Sequence, residues 1–186
     1  MSIEEEIKKY NTVWQDTGYR SLEASQGLKY VAKVCADIKF KSVLDVGCGP
    51  GWSVLEFMCR GYKSQGIEPS DYLFTQELRV PAGLGIVKKA SITSIPHPAD
   101  SFDLVFCTDV LEHIPEEEVP KAISELVRVS RKHIFCSICF HDAMCFPKLK
   151  LHCCVKPREW WDEQFARYKV KRKAYGKENE YLYVKF

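Results

Sequence analysis

The sequence predicts an α/β fold of the nucleotide-binding kind, and three observations carry that expectation. Ser42–Val46 is a short apolar run that breaks abruptly into Gly47, Gly49 and Gly51. Residues 53–60 then read as one helix, with Gly61 just past its end as a stop. Phe102–Thr108 is continuously apolar after Asp103, as a strand covered on both faces requires. Strand, glycine turn and helix together make the first half of a nucleotide-binding βαβ unit.

The chemistry of the turn follows from its residues. A dinucleotide site spaces its glycines G-x-G-x-x-G and sets a pyrophosphate on the helix N-terminus. Here the spacing is G-x-G-x-G and the strand carries Asp45 near its end. A carboxylate there is poorly suited to a pyrophosphate and well suited to a cofactor bearing an ammonium or a sulfonium; the plainer alternative is that the glycines serve only the turn. The next strand, residues 63–67, ends in Glu68. An acidic side chain at the tip of the second strand accepts hydrogen bonds from both hydroxyls of an adenosine ribose; the alternative is an exposed loop charge.

Three motifs, Asp45-Val-Gly-Cys-Gly-Pro-Gly51, Gly66-Ile-Glu-Pro-Ser70 and Ser101-Phe-Asp-Leu-Val-Phe-Cys-Thr-Asp-Val-Leu-Glu-His-Ile-Pro115, resemble in this order the class I methyltransferases that use S-adenosylmethionine. The likeness is to their ubiquinone-type, small-molecule subgroup, and it covers roughly residues 40–186. It implies a Rossmann-like, seven-stranded, mostly parallel sheet with helices on both faces and a C-terminal antiparallel hairpin. It also implies one methyltransferase domain over residues 1–186, with residues 1–40 as a helical lid and 41–186 as the cofactor-binding core. S-adenosylmethionine is the expected cofactor. Asp45, Gly47, Cys48, Gly49, Gly51 and Glu68 are its expected contacts on the first two strands. Ser91 and Ile92 match the positions that border the adenine, although many relatives have an acidic residue near Ser91. Cys107 and Asp109 match those beside the methionine part.

The remaining elements follow from local signals. Residues 3–10 are charged and helix-prone, and an aromatic stretch through Tyr10 and Trp14 runs to a break at Gly18. Leu28, Val31, Ala32, Val34 and Cys35 recur at helical spacing and predict a helix packed on the sheet. Under the lid expectation Trp14, Tyr19 and Arg20 reach the pocket; equally, they pack the two N-terminal helices together. Ser70 is a helix N-cap, with Leu73, Phe74 and Leu78 as the apolar face of one helix ended by residues 81–85. Residues 86–90 predict the third strand. Glu116 to Glu118 favour a helix start, Ala122, Ile123, Leu126 and Val127 make that helix amphipathic, and Arg131 and Lys132 suit its end. Residues 133–140 predict the fifth strand, and Pro157 opens a late helix in its first turn. Residues 168–175 and 180–186 alternate as two strands.

Composition narrows the function. A net charge of +2 gives no case for a nucleic-acid partner. No run reaches transmembrane length and no signal-peptide pattern opens the chain, so a cytoplasmic location is expected. Nine cysteines without such a signal indicate a reducing compartment. Cys136 and Cys139 have metal-like spacing, but three apart on a strand they point to opposite faces, so no metal is expected.

Methyl transfer from a sulfonium needs positioning above all, because the donor is already activated. A hydroxyl acceptor also needs a base, and histidine suits that task near neutral pH. His113 follows the fourth strand and His141 the fifth, with Asp142 beside it; His113 and His141 are the catalytic candidates, His152 in the long loop beyond is a further one, and each has a structural alternative. Residues 141–156 make a long connection, where acceptor specificity is expected. Lys156 and Arg158 either hold an anionic acceptor or are solvated charges at a helix start. The expected activity is O-methylation of a small molecule, with a sugar or envelope metabolite within that class. The alternatives are a protein or nucleic-acid methyltransferase, a binding protein without activity, and an NAD(P) oxidoreductase, which the glycine spacing opposes.

Overall fold

The structure is a computed structural model of the chain and describes residues 2–15, 19–22, 25–142, 144–146, 149–177 and 179–186. The expected glycine break at Gly18 lies outside them. In chain order the elements are α1 Ile3–Val13, α2 Leu28–Asp37, β1 Ser42–Val46, α3 Trp52–Cys59, β2 Lys63–Glu68, α4 Asp71–Thr75, α5 Arg79–Gly83, β3 Val87–Lys89 and β4 Phe102–Thr108. They continue with α6 Val119–Val129, β5 Ser130–Ser137, β6 Met144–Phe146, β7 Leu149–Lys150, α7 Arg158–Ala166, β8 Val170–Lys173 and β9 Glu180–Lys185. Seven strands form one sheet in the order β3-β2-β1-β4-β5-β9-β8. The first five are parallel, and β9 and β8 close the sheet antiparallel. This is the expected Rossmann-like sheet with its C-terminal hairpin. The order reverses between β1 and β4, the switch point at which α/β sheets open a crevice for ligands.

Alternation along the strands divides the core. Val105 and Cys107 of β4, with Ile134 and Cys136 of β5, face α6 and α7, where Leu126, Trp161 and Phe165 are fully buried. Leu104, Phe106 and Phe135 face the other way, against Tyr30, Val31 and Val34 of α2 and Phe57 of α3. Phe106 and Phe135 stack across the two strands with ring centroids 5.4 Å apart. Both faces of β4 and β5 are thus covered, which is why these strands are apolar throughout.

Several boundaries differ from the sequence expectation for physical reasons. The helix expected after Ser70 is two short ones, broken at Gln76, whose φ of −119° and ψ of −111° are not helical. Pro81 has no N–H to give to the carbonyl of Glu77 and its ring would clash there, so one helix through both turns is disfavoured. Pro81 instead sits in the first turn of α5. β5 begins at Ser130, so Arg131 and Lys132 belong to the strand and not to the end of α6; Arg131 pairs with Asp103 at the start of β4. β5 also ends at Ser137, leaving Cys139 beyond the strand. Pro157 is the N-cap of α7 and not its first residue. Residues 141–156 contain the β6–β7 ribbon.

Trp161 is fully buried between α7 and the sheet. Trp161→Ala should destabilise the fold by about 3–5 kcal/mol, read as a lower urea midpoint with an unchanged slope.

Candidate active site

Past the carboxyl ends of β1, β2, β3 and β4 lies an open cavity, about 630 Å3 when the space continuous with solvent is included. Gly47, Glu68, Pro69, Ala90, Ser91, Ile92, Asp109 and Val110 form its floor, and His113 and Ile114 one wall. Ile3, Glu6, Ile7, Tyr10 and Trp14, spaced along one face of α1, cover it. A capping box between Ser2 and Glu5 starts α1. Two contacts then hold it over the cavity. Lys9 Nζ donates to the carbonyl of Leu151 at 2.6 Å, and Asn11 Oδ1 accepts from Ser70 Oγ at 2.7 Å.

The turn after β1 shapes the floor. Gly47 has φ of 72°, and a Cβ there would meet Val110 Cγ2 at 2.5 Å. Gly49, with φ of 52°, lies under the Trp14 ring, which a Cβ would approach to 3.1 Å. Glu68 locks this turn: one carboxylate oxygen accepts the Gly49 amide and the other the Ser70 amide, each at 3.0 Å. It is only 4% exposed, and burial raises its pKa to about 7 against those two bonds. Asp45, 3% exposed beneath the turn, is raised to about 8 by burial and then by Glu68.

At the end of β4 the chain turns through Asp109, whose φ of 53° is uncommon for a residue other than glycine. Ser137 Oγ donates to Asp109 Oδ1 at 3.1 Å, while Oδ2 is buried without a partner, and burial raises this carboxyl's pKa. A 3₁₀ turn over Leu111–His113 follows. Glu112 is fully buried; Oε1 accepts the Cys139 amide at 2.8 Å, and its backbone carbonyl accepts the amides of Cys153 and Cys154 at 3.0 and 2.9 Å. Burial, with Asp109 adding, raises its pKa to about 8. The His113 ring lies 4.8 Å from the Tyr10 ring and 4.7 Å from the His152 ring, edge to face with both. Burial, with His152 adding, lowers its pKa to about 3, so the imidazole is neutral.

The cavity therefore gathers Gly47, Glu68, Ser91, Ile92, Asp109 and His113 of the residues expected from sequence. Ser91 Oγ lies 3.0 Å from Thr93 Oγ1. Cys48 is buried and packs over Gly66, and Gly51, with φ of 86°, starts α3. These two and Asp45 and Gly49 support the cavity from below. Cys107 lies in the hydrophobic core beside its register partner Cys136, because it alternates away from Phe106, and it does not line the cavity. His141 is exposed outside the cavity; its carbonyl accepts from His152 Nδ1 at 2.6 Å. Trp14 lines the cavity, whereas Arg20 pairs with Glu77 at 2.5 Å, with its guanidinium 5.2 Å from the Tyr72 ring. Lys156 pairs with Glu116 at 2.6 Å. Sequence reasoning missed Tyr10 and Glu112 and named His152 only as a further candidate base, not as a neighbour of His113. The spacing of Ile3, Ile7, Tyr10 and Trp14 on one helical face would have signalled Tyr10; Glu112 and His152 meet only in three dimensions.

Gly47→Ala and Gly61→Ala separate backbone strain from crowding. Gly61 has φ of 86° and open space around it, so its substitution should cost about 1 kcal/mol. Gly47→Ala adds the clash with Val110 and should cost about 1–3 kcal/mol more, measured by chemical denaturation of both variants.

The methyltransferase domain family profile matches residues 44–137. The ubiquinone biosynthesis O-methyltransferase of Cronobacter sakazakii is 31% identical over 146 residues, covering 72% of this chain and 59% of that protein. The chain spans 35% to 59% of the lengths of the first two curated relatives it matches. Among solved structures, the PH0226 protein of Pyrococcus horikoshii OT3 superposes with a TM-score of 0.72 at 14% identity, covering 93% of this chain and 96% of that one. The magnesium protoporphyrin IX methyltransferase of Synechocystis PCC 6803 with bound SAH superposes with a TM-score of 0.68 at 14% identity, covering 97% and 100%; at such identity these structures establish the fold alone. The family match spans the glycine turn, Glu68 and the β4–His113 segment that build the cavity, and the chain belongs to the class I, S-adenosylmethionine-dependent methyltransferase family.

Proposed function

We propose that the cavity holds S-adenosylmethionine and that the chain transfers the cofactor's methyl group to a hydroxyl of a small molecule. The observation behind this reading is the meeting of Gly47, Glu68, Ser91, Ile92 and Asp109, from the ends of four strands, in one cavity. The residues present suit such a cofactor. Gly47 lines the cavity with bare backbone, because a Cβ there would meet Val110 Cγ2 at 2.5 Å. Glu68 would accept the ribose hydroxyls, Ser91 and Ile92 would border the adenine, and the unpartnered Asp109 Oδ2 would take the ammonium of the methionine part. Asp45, Glu68 and Asp109 are buried acids whose ionisation burial opposes, and a cationic ligand offsets that cost. The sulfonium supplies an activated methyl group, so the chain's own work is to hold the acceptor in line and to exclude water.

Residues 1–40 act in this reading as a lid on a core of residues 41–186, the whole chain working as one unit. His113 faces the cavity, whereas His141 does not, so the acceptor hydroxyl belongs at His113. The name of the Cronobacter sakazakii relative, an O-methyltransferase, supports a hydroxyl as the acceptor.

Calorimetric titration should find one S-adenosylhomocysteine per chain and no NAD binding; NAD binding alone would overturn the reading. Glu68→Ala should weaken S-adenosylhomocysteine binding at least about tenfold, since each hydrogen bond to a charged acceptor is worth roughly 1.5–3 kcal/mol.

The same ligand gives a pH test. Glu68 accepts ribose hydroxyls best as the carboxylate, and its pKa is raised to about 7. Affinity should therefore rise with pH, by up to about tenfold between pH 6 and pH 8, and Glu68→Gln should flatten the rise. With an acceptor in hand, His113→Ala should lower turnover more than His141→Ala while cofactor affinity is retained; with its pKa lowered to about 3 by burial, the neutral imidazole serves there to hydrogen-bond and place the hydroxyl.

A further inference from the structure

We propose that Glu112, His113 and His152 form a binding site for a divalent first-row transition cation at the wall of the cavity. One ligand atom from each of the three lies within 4.8 Å of the others. The donor set, two imidazoles and a carboxylate, is one that such cations take with coordination positions left open.

Hydrogen bonding prepares each donor. His152 Nδ1 lies 2.6 Å from the carbonyl oxygen of His141, and His113 Nδ1 lies 3.1 Å from that of Leu151. A carbonyl only accepts, so both rings carry their proton on Nδ1 and present the Nε2 lone pair; at His113 the Tyr10 hydroxyl, 2.8 Å from Nδ1 and 3.1 Å from Nε2, would give way to the cation there. Backbone carbonyls orient metal-binding histidines in this way. Glu112 spends Oε1 on the Cys139 amide, which leaves Oε2 buried and without a partner on a side chain fully shielded from water. An unpartnered carboxylate oxygen in such a place is costly to the fold and is satisfied by a cation. The Tyr10 hydroxyl, 3.1 Å from His113 Nε2, stands beside the site as a further oxygen.

Of the three donors His113 lines the cavity, next to Asp109, so the acceptor would reach the cation from the His113 side. The chemical role rests on the methyltransferase reading, whereas cation binding does not. The acceptor oxygen binds the cation and loses its proton to solvent. Its O–C bond to the methyl forms as the sulfonium C–S bond breaks, giving a methyl ether and a neutral thioether. The cation, acting as a Lewis acid, lowers the pKa of the hydroxyl, which a neutral imidazole alone would have to deprotonate.

The test uses the full chain, stripped with a chelator and titrated with Co2+. One Co2+ per chain is expected, with visible d–d bands and no thiolate charge-transfer band. Glu112→Gln and His152→Gln should each weaken binding more than about a hundredfold, beyond the loss typical of outer-shell changes, while still binding S-adenosylhomocysteine as evidence of an intact fold. Sub-stoichiometric Co2+, a thiolate band, or unchanged affinity in both variants would overturn the site. If either variant fails to fold, the spectrum and stoichiometry of the unmodified chain decide. Stoichiometric Co2+ without S-adenosylhomocysteine binding would keep the site and refute the methyltransferase reading; S-adenosylhomocysteine binding without Co2+ would do the reverse.

Discussion

Glu68 accepts the amide of Gly49 through one carboxylate oxygen and that of Ser70 through the other, and the floor of the cavity depends on this clamp. The turn after β1 and the turn after β2 have no regular backbone pairing with each other. A single side chain at the end of β2 bridges them, satisfying two amides in a place closed to water. The glycine turn can then keep three left-handed residues, Gly47, Gly49 and Gly51, without collapsing onto α3. Ser70, held by the same carboxylate, caps α4 and receives Asn11 from α1. The clamp thus links the floor of the cavity to its cover.

Charge gives the cavity its character. Asp45, Glu68, Asp109 and Glu112 all lie at the carboxyl ends of the parallel strands, and burial is the largest cause of the upward shift in each. Like charges this close oppose one another's ionisation. Such a site disfavours phosphates and favours cations, which agrees with the G-x-G-x-G spacing and with Asp45 where a pyrophosphate would otherwise approach.

The segment between β5 and α7 reaches the same place by a different route. Cys153 and Cys154 hydrogen-bond the carbonyl of Glu112, and His152 stands over His113. Lys9 on α1 bonds the carbonyls of Lys150 and Leu151. The carboxyl-terminal half of the cover is therefore tied both to this segment, through Lys9, and to the turn after β2, through Asn11. Motion of α1 away from the cavity must break contacts with both.

The sequence by itself determined the fold and the floor of the cavity. Glycine spacing, Glu68 at a strand tip and the unbroken apolar run of β4 are local signals, because backbone conformation and burial on both faces constrain residue type at each position. Boundaries were less legible where two local preferences competed, as at Pro81 and at Arg131. Alternation on a strand could not be applied to Cys139, which lies beyond the end of β5, and did not reveal that Cys107 points into the core, since strand phase is set by pairing with neighbours. What gathers around His113 was decided by tertiary structure alone. Tyr10, Glu112, His113 and His152 come from three distant segments, and no periodicity links them. Only the folding of residues 141–156 back across the end of β4, held by amides bonded to Glu112, turns two unrelated histidines and a buried carboxylate into one site.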